Sequence, residues 1–341
     1  MILKAKPIEN KLIQDAYEEG MKIFSDFWGL NWIYNTPNII VLESREDIDK
    51  AYGEKTQSWI RGWARNNTIH LLDYYKMATE SDHNDSKEEY QAMIRHEIGH
   101  LFITKIVKNT SEFPKWLNEG ISIYLANQLG YNTKPESFKG FLESSKENHK
   151  AAYVEGGRVV ELLMNLFGKE KLVSFVKAGG DPESFKNIYG FDITYENINS
   201  LYKSEEISAN EAVEKFKEII DKPFHIQVKH NGSIELKFPN YLLSIENGWD
   251  IWDESEDYHS QTFKPLSDEE TLETFVGKTS VTGVDIVRNS IFSLFLKNGK
   301  EIDITDSGFN SGYYFRLFSF KSNEPTLALT SEFKFILLSS S

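Results

Sequence analysis

Apolar residues in the first part of the chain recur at the spacing of an α-helix. From about residue 8 to 29 and again from 86 to 221 they return every three or four positions, as Ile94, Ile98 and Leu101 do. This spacing puts such residues on one face of a helix, which is the face that packs against a core. We therefore predict helices in both segments.

Two short runs between these helical segments have the composition of β-strands. NIIVLE (38–43) and NTIHLLD (67–73) are rich in apolar and β-branched residues, and turn-forming residues flank both. We expect these strands to lie beside the helix that contains His96. The first part of the chain is thus predicted as an α+β fold that is mostly helical, with a small β-sheet at its edge.

The apolar spacing changes to that of β-strands after Lys222. HIQVKHNGSIELKF alternates apolar and polar residues around Asn231-Gly232, and VDIVRNSIFSLFLKNGKEIDI repeats this pattern before a second turn at Asn298-Gly299. Asn-Gly between alternating runs favours a tight hairpin turn. We predict an α+β domain over residues 1–222 and an all-β domain over residues 223–341. The shared plan of the two β stretches leaves an internal duplication open.

Composition and charge narrow the classes of partner. The 341 residues are 40% hydrophobic and 13% aromatic, which is enough to fill sizeable cores, and the formal net charge is -14. A polyanion or an anionic membrane surface would meet a repulsive average field, so we expect neither nucleic acid nor a membrane as a partner. Without a leader-like or membrane-spanning apolar run, the protein is expected to be soluble and cytoplasmic.

Residues 94–102, IRHEIGHLF, contain two of the eight histidines, four positions apart, with a glutamate after the first. On an α-helix, His96 and His100 lie one turn apart on the same face, so their imidazoles can bind one metal ion. Glu97 can lean toward the open position of that ion, where a general base would sit. The chain has no cysteine, so nitrogen and oxygen must supply every ligand. The alternative interpretation is an ordinary amphipathic helix with two polar histidines.

A third ligand for the same ion can come from a second predicted helix. The longer metzincin motif has its third histidine at position 106, where this chain has Ile106, so that class is excluded. Eighteen residues separate His100 from Glu119, which lies in FPKWLNEGISIYLA. Pro114 suits the first turn of a helix, and the apolar residues after it give the helix a buried stripe. Packing of the two helices would bring Glu119 to the ion.

HExxH, the eighteen-residue spacing and the glutamate of WLNEG together resemble the gluzincin zinc metallopeptidases, in particular the aminopeptidase-N-like branch of the thermolysin-like clan. The segment AAYVEGGRVVELLMNLFGKEKL is similar to another block of that family, and Tyr153 falls on its tyrosine position. The resemblance implies that one Zn²⁺ per chain is bound by His96, His100 and Glu119. It also implies that Glu97 polarises the bound water and that Tyr153 stabilises the oxyanion.

The resemblance to aminopeptidases is incomplete. Members of that branch have a Gly-x-Met-Glu-Asn signature whose glutamate binds the α-amino group of the substrate, and we find no such signature before His96. The resemblance therefore implies a peptidase that acts on a peptide or protein substrate, without aminopeptidase specificity. One alternative is a catalytically restricted, peptidase-like binding or regulatory protein whose β domain recognises a protein partner. Another is a β domain that acts as an interaction or autoinhibitory partner of the N-terminal enzyme.

Other polar residues have structural interpretations. We expect His70, His83 and His149 to be surface or packing histidines. Tyr153 could also be a packing residue with a satisfied hydroxyl, and Asn118 either orients the site or follows the polarity of its helix.

Gly99 is unusual because glycine weakens the interior of a helix. We predict that another backbone approaches the zinc helix closely at this residue.

Overall fold

The computed structural model contains both helices and β-sheets, which confirms the predicted α+β mixture. It describes residues 10–83, 86–143, 149–228, 234–245, 249–253, 279–287, 291–298, 300–304, 313–319, 326–330 and 335–338. Asn231, Gly232 and Gly299 of the two predicted turns lie outside these ranges. Contacts divide the chain into a first unit, residues 1–161 with 173–181, and a second unit, residues 162–172 with 182–341.

The α-helices lie in the first unit and at the beginning of the second. They are α1 (Lys11–Trp28), α2 (Arg45–Tyr52), α3 (Met77–Glu80), α4 (Lys87–Ile106), α5 (Lys115–Leu125), α6 (His149–Lys177), α7 (Pro182–Tyr189), α8 (Tyr195–Tyr202) and α9 (Ala209–Phe216). The helical path of α6 is interrupted at Gly168, where φ is 78° and ψ is 174°. Within the described residues, no helix is both long enough and apolar enough to cross a membrane.

Local sequence explains where the helix of the HExxH motif begins. The Ser86 hydroxyl accepts a hydrogen bond from the backbone N–H of Glu89 over 3.3 Å, and two glutamates occupy the first turn of α4. Both features favour a helix N-terminus, where N–H groups lack partners and the helix dipole is positive. The predicted stripe of Ile94, Ile98 and Leu101 is buried as expected.

A three-stranded sheet packs beside α4 in the first unit. Its strands are β1 (Asn38–Leu42), β2 (Gly62–Arg65) and β3 (Thr68–Leu72), in the order β1-β3-β2, with β1 parallel and β2 antiparallel to β3. β1 and β3 confirm the two predicted strands. The Tyr90 hydroxyl of α4 donates a hydrogen bond to the Leu72 carbonyl over 2.8 Å, which ties the helix to the sheet.

The second unit contains two antiparallel sheets. Their strands are β4 (Glu205–Ile207), β5 (His225–Val228), β6 (Ile234–Lys237), β7 (Tyr241–Ile245), β8 (Trp249–Asp253), β9 (Val281–Val287), β10 (Ile291–Leu296), β11 (Lys300–Ile304), β12 (Tyr313–Ser319), β13 (Thr326–Thr330) and β14 (Phe335–Leu338). One sheet has the order β8-β11-β10-β9 and the other β4-β14-β13-β12-β7-β6-β5. β5 pairs with β6 and β10 with β11, both antiparallel, which confirms the two predicted hairpins.

The core of the second unit joins helical residues to strands. Ala212 and Phe216 of α9, and Ile219 in the turn after it, are buried in the same cluster as the strand residues Ile226 and Leu236. The second unit thus takes in residues 162–172 and 182–222, which the sequence pattern assigns to the first domain. These units are defined by contacts, whereas the boundary at residue 222 separates domains that are predicted to fold independently. That boundary therefore stays a prediction.

Candidate metal centre

The residues of the HExxH motif converge on one side of α4. The rings of His96 and His100 lie one turn apart, with centroids separated by 4.6 Å and planes nearly perpendicular at 89°. One ligand atom from each of His96, Glu97 and His100 lies within 4.8 Å of the other two, and this group could hold a metal ion. His96 and Glu97 are buried, so an ion bound here would be largely shielded from solvent.

Helix α5 brings a second carboxylate to the two imidazoles. Its first residue follows Pro114, whose φ of -58° is already that of a helix. Oε2 of Glu119 lies 3.3 Å from Nε2 of His96 and 3.5 Å from Nε2 of His100. This oxygen is buried and has no hydrogen-bond partner among the described residues. The sequence-predicted ligand Glu119 therefore lies against both predicted histidine ligands.

Asn118 controls which nitrogen of His100 faces Glu119. Oδ1 of Asn118 lies 2.9 Å from Nδ1 of His100, and the Ser122 hydroxyl lies 3.2 Å from the same nitrogen. Because the amide oxygen only accepts hydrogen bonds, the imidazole must donate through Nδ1–H, which leaves a lone pair on Nε2 of the neutral ring. Two acceptors, Nε2 and a carboxylate oxygen, then face each other, and they repel unless a cation or a proton lies between them. This donor set fits a metal ion.

The charges of Glu119 and His100 each shift the pKa of the other group. Burial by itself raises the pKa of the Glu119 carboxyl, but His100 and His96 outweigh it, so this pKa lies well below its usual range. Burial lowers the pKa of His100, yet the carboxylates of Glu119 and Glu97 and the Asn118 contact raise it overall. Glu119 is therefore held as an ionised carboxylate, which is the form that binds a metal ion.

Tyr153 stands beside His96. Its ring is nearly parallel to that of His96, with centroids 6.3 Å apart and an interplanar angle of 14°. Burial, followed by the charges of Glu119 and Glu97, raises the pKa of Tyr153 above its usual range, so the phenol keeps its proton and can donate a hydrogen bond. It lies in the second turn of α6, which begins at His149 and not at the tyrosine itself.

Two glycines set the position of α6 against α5. A Cβ atom on Gly120 would lie 2.5 Å from the carbonyl oxygen of Gly156, and one on Gly156 would lie 2.5 Å from the carbonyl oxygen of Trp116. Neither distance is possible for a real side chain, so the two backbones approach as closely as they do only because both residues are glycine. Glu119 precedes one of these glycines and Tyr153 lies three residues before the other, so this crossing brings them to the same site.

Gly99 also has a packing role, but with a different neighbour from the one we predicted. A Cβ at this position would lie 2.7 Å from Cζ of Phe24 on α1 and 2.7 Å from Oγ of Ser122 on α5. Side chains, and not another backbone, therefore occupy the space that the glycine leaves. The Ser122 hydroxyl that fills it is also the one that contacts His100.

The sequence matches no protein-family model and no curated protein. The resemblance to gluzincins therefore depends on the motif residues alone.

The other histidines that the sequence singled out have packing contacts. His70 stacks on Trp63, with ring centroids 4.6 Å apart and planes within 4°, and Nε2 of His83 lies 3.3 Å from the carbonyl oxygen of Trp59. The side chain of His149 is outside the part that the structure describes.

Two charged residues near the site were missed by the sequence patterns. Nζ of Lys115 lies 5.8 Å from the centroid of the Tyr153 ring, and the Glu97 charge acts on Arg61, which directly precedes β2. Lys115 could have been found from its helical spacing, since it stands four residues before Glu119 and shares its face. Arg61 gave no such signal, because strand β2 itself was not predicted.

Proposed function

We propose that the protein is a zinc-dependent metallopeptidase that hydrolyses peptide bonds in peptide or protein substrates. In this proposal His96, His100 and Glu119 bind one Zn²⁺, Glu97 is the general base and Tyr153 stabilises the oxyanion. Residues 1–222 would form a gluzincin-like peptidase domain, followed by an all-β domain. We do not propose aminopeptidase activity, because the motif that would bind the substrate's α-amino group was not found before His96.

One observation carries the proposal. Oε2 of Glu119 lies within 3.5 Å of Nε2 of both His96 and His100, while Asn118 holds Nδ1 of His100. Two imidazole nitrogens and one carboxylate oxygen are a usual ligand set of catalytic zinc, with bond lengths of about 2.0 to 2.2 Å. The adjacent Glu97 is the further group that hydrolysis needs.

The proposed hydrolysis needs both a zinc ion and acid–base groups of the protein. A zinc ion held by three protein ligands supplies a water nucleophile at neutral pH, since it lowers the pKa of water to about 7. Glu97 takes the proton of the attacking water and passes it to the amide nitrogen as the carbon–nitrogen bond breaks. The Tyr153 hydroxyl donates a hydrogen bond to the carbonyl oxygen as negative charge develops on it, which an ionised phenol could not do.

The first experiment measures zinc content per chain by elemental analysis, on protein purified without a metal-affinity tag. We expect about one zinc in the wild type and in Glu97→Gln, but little in Glu119→Ala. Glu112→Ala is the matched control, because this glutamate is exposed and precedes the same helix. A wild type that holds no zinc after zinc is added and excess removed would contradict the proposal.

Peptide cleavage then tests the assigned roles. Glu97→Gln should lose cleavage while keeping its zinc, and a variant that cleaved as fast as the wild type would refute the mechanism. Tyr153→Phe should keep its zinc but lose about 10² to 10³ in kcat. If it lost less than twofold, Tyr153 would be a packing residue.

A further inference from the structure

Arg61 is an almost buried cation that the proposed mechanism does not use. Its side chain is 12% exposed, and Nη1 lies 3.6 Å from Oε2 of Glu89. Nη1 is buried and has no hydrogen-bond partner among the described residues. At 3.6 Å the contact with Glu89 is an ion pair and too long for a good hydrogen bond. The guanidinium is therefore only partly satisfied by the protein around it.

Arg61 lies along the face of α4 that leads to Glu97. Gly62, the next residue, lies beside α4, since a Cβ there would be in ordinary contact with Sδ of Met93 at 3.4 Å. Glu89, Met93 and Glu97 follow one another at intervals of four residues, so they share one helix face. Arg61 thus contacts this face at Glu89, and its neighbour Gly62 lies beside the same face at Met93.

The charged and polar groups around Arg61 define its electrostatic surroundings. Burial lowers the pKa of Arg61, while Glu89, Tyr131 and Glu97 raise it without cancelling that effect. His83 also lies within the electrostatic reach of the guanidinium. Arginine nevertheless keeps its charge in proteins. A buried cation whose N–H has no hydrogen-bond partner destabilises the fold, because the group loses its hydration and gains no hydrogen bond in exchange.

We propose that Arg61 receives a carboxylate group of the substrate, so that the site prefers peptides with a carboxylate close to the bond that is cleaved. A planar guanidinium matches a carboxylate with two parallel hydrogen bonds, which Glu89 does not form here. Glu89 is 26% exposed, so it can turn toward solvent as the substrate carboxylate enters. This inference rests on the proposed peptidase function, and it adds a substrate class to it.

The experiment compares kcat/KM for matched peptides with the zinc-loaded protein. In the first pair, the C-terminus lies within two residues of the cleaved bond and is a free carboxylate in one peptide and an amide in the other. In the second pair, both C-termini are amidated, and the residue next to the cleaved bond is Glu in one peptide and Gln in the other. We expect the wild type to cleave at least one acidic peptide about tenfold faster than its neutral partner, as a charge-assisted hydrogen bond would give. The pair that shows the difference identifies the source of the carboxylate.

Variants assign the preference to Arg61. Arg61→Gln should reduce the acidic-to-neutral ratio to about one while cleavage of neutral peptides is retained, and Glu89→Gln should increase the ratio. Arg65→Gln is the control, since it removes the same charge from an exposed residue at the end of the adjoining strand β2, and it should keep the wild-type ratio. A ratio near one in the wild type for both pairs, or an unchanged ratio in Arg61→Gln, would overturn the proposal.

Two further measurements cover other outcomes. If Arg61→Gln does not fold, Arg61→Lys replaces it, because lysine keeps the charge but lacks the planar guanidinium that pairs with a carboxylate. An unchanged acidic-to-neutral ratio of kcat/KM in Arg61→Lys would overturn the proposal. If the wild type cleaves no peptide at all, the proposed function fails, and tryptophan fluorescence of Glu97→Gln then compares the Kd values of the acidic and neutral peptides. Tighter binding of an acidic peptide would support the carboxylate site, and equal Kd values would overturn it.

Discussion

Single side chains decide the direction in which the candidate metal ligands of this site point. Nε2 of His100 faces Glu119 because Asn118 holds the opposite ring nitrogen at 2.9 Å. The sequence left two interpretations of Asn118 open, an orienting residue or simple helix polarity. The contact favours the first, since an asparagine that served only helix polarity would have no reason to reach into the other helix.

Asn118→Ala therefore tests whether this hydrogen bond prepares the site for a metal ion. We expect the variant to bind zinc about 10 to 100 times more weakly, because the ring of His100 loses the partner that fixes its orientation. Affinity is measured by competition with a chromogenic chelator. Ser122→Ala serves for comparison and should cause a smaller loss, since its contact is longer at 3.2 Å. An unchanged affinity in Asn118→Ala would show that His100 is oriented by packing alone.

At the scale of helices and strands, the position of the site depends on how closely α5 and α6 approach. In Gly120→Ala the new methyl group would meet the Gly156 carbonyl oxygen at 2.5 Å, so the helices must separate. We expect a loss of about 1 to 3 kcal/mol in the free energy of unfolding, as overpacking usually costs. Urea denaturation measures it. Gly130→Ala is the control, because a Cβ there would have no neighbour within 4 Å, and equal losses in both variants would argue against the close crossing.

The same scale shows what the sequence could and could not predict. Strands β1 and β3 and helices α4 and α5 have continuous apolar runs or helical stripes, so their patterns were legible. β2 has the sequence GWAR, which shows neither, and it is a strand because it pairs with β3 through the turn at Asn66 and Asn67, whose φ angles are 51° and 59°. Arg61 depends on that pairing, so its place beside α4 could not be predicted either.

At the scale of the whole chain, the open question is where one folding unit ends and the next begins. The sequence pattern put the boundary at residue 222, where helical spacing changes to strand spacing. Pairing in the structure crosses that point, since Ile207 of β4 lies opposite Phe335 of β14 and Phe216 is buried in the core of the strands. Local periodicity reports the type of each element but not its tertiary partner, which is why it could not detect this connection.

Phe216→Ala tests whether residues 205–222 fold with the strands of the second unit or belong to a first domain that ends at residue 222. Phe216 is fully buried, so the substitution should cost about 3 to 5 kcal/mol through lost burial and the cavity that remains. If residues 205–222 fold with the strands, amide hydrogen exchange should accelerate in β6 and β7 and stay unchanged in α4. Lys215→Ala, an exposed neighbour on the same helix, should leave both regions unchanged. Faster exchange in α4 alone would instead support a domain boundary at residue 222, because the cost would then fall on the unit that contains the HExxH helix.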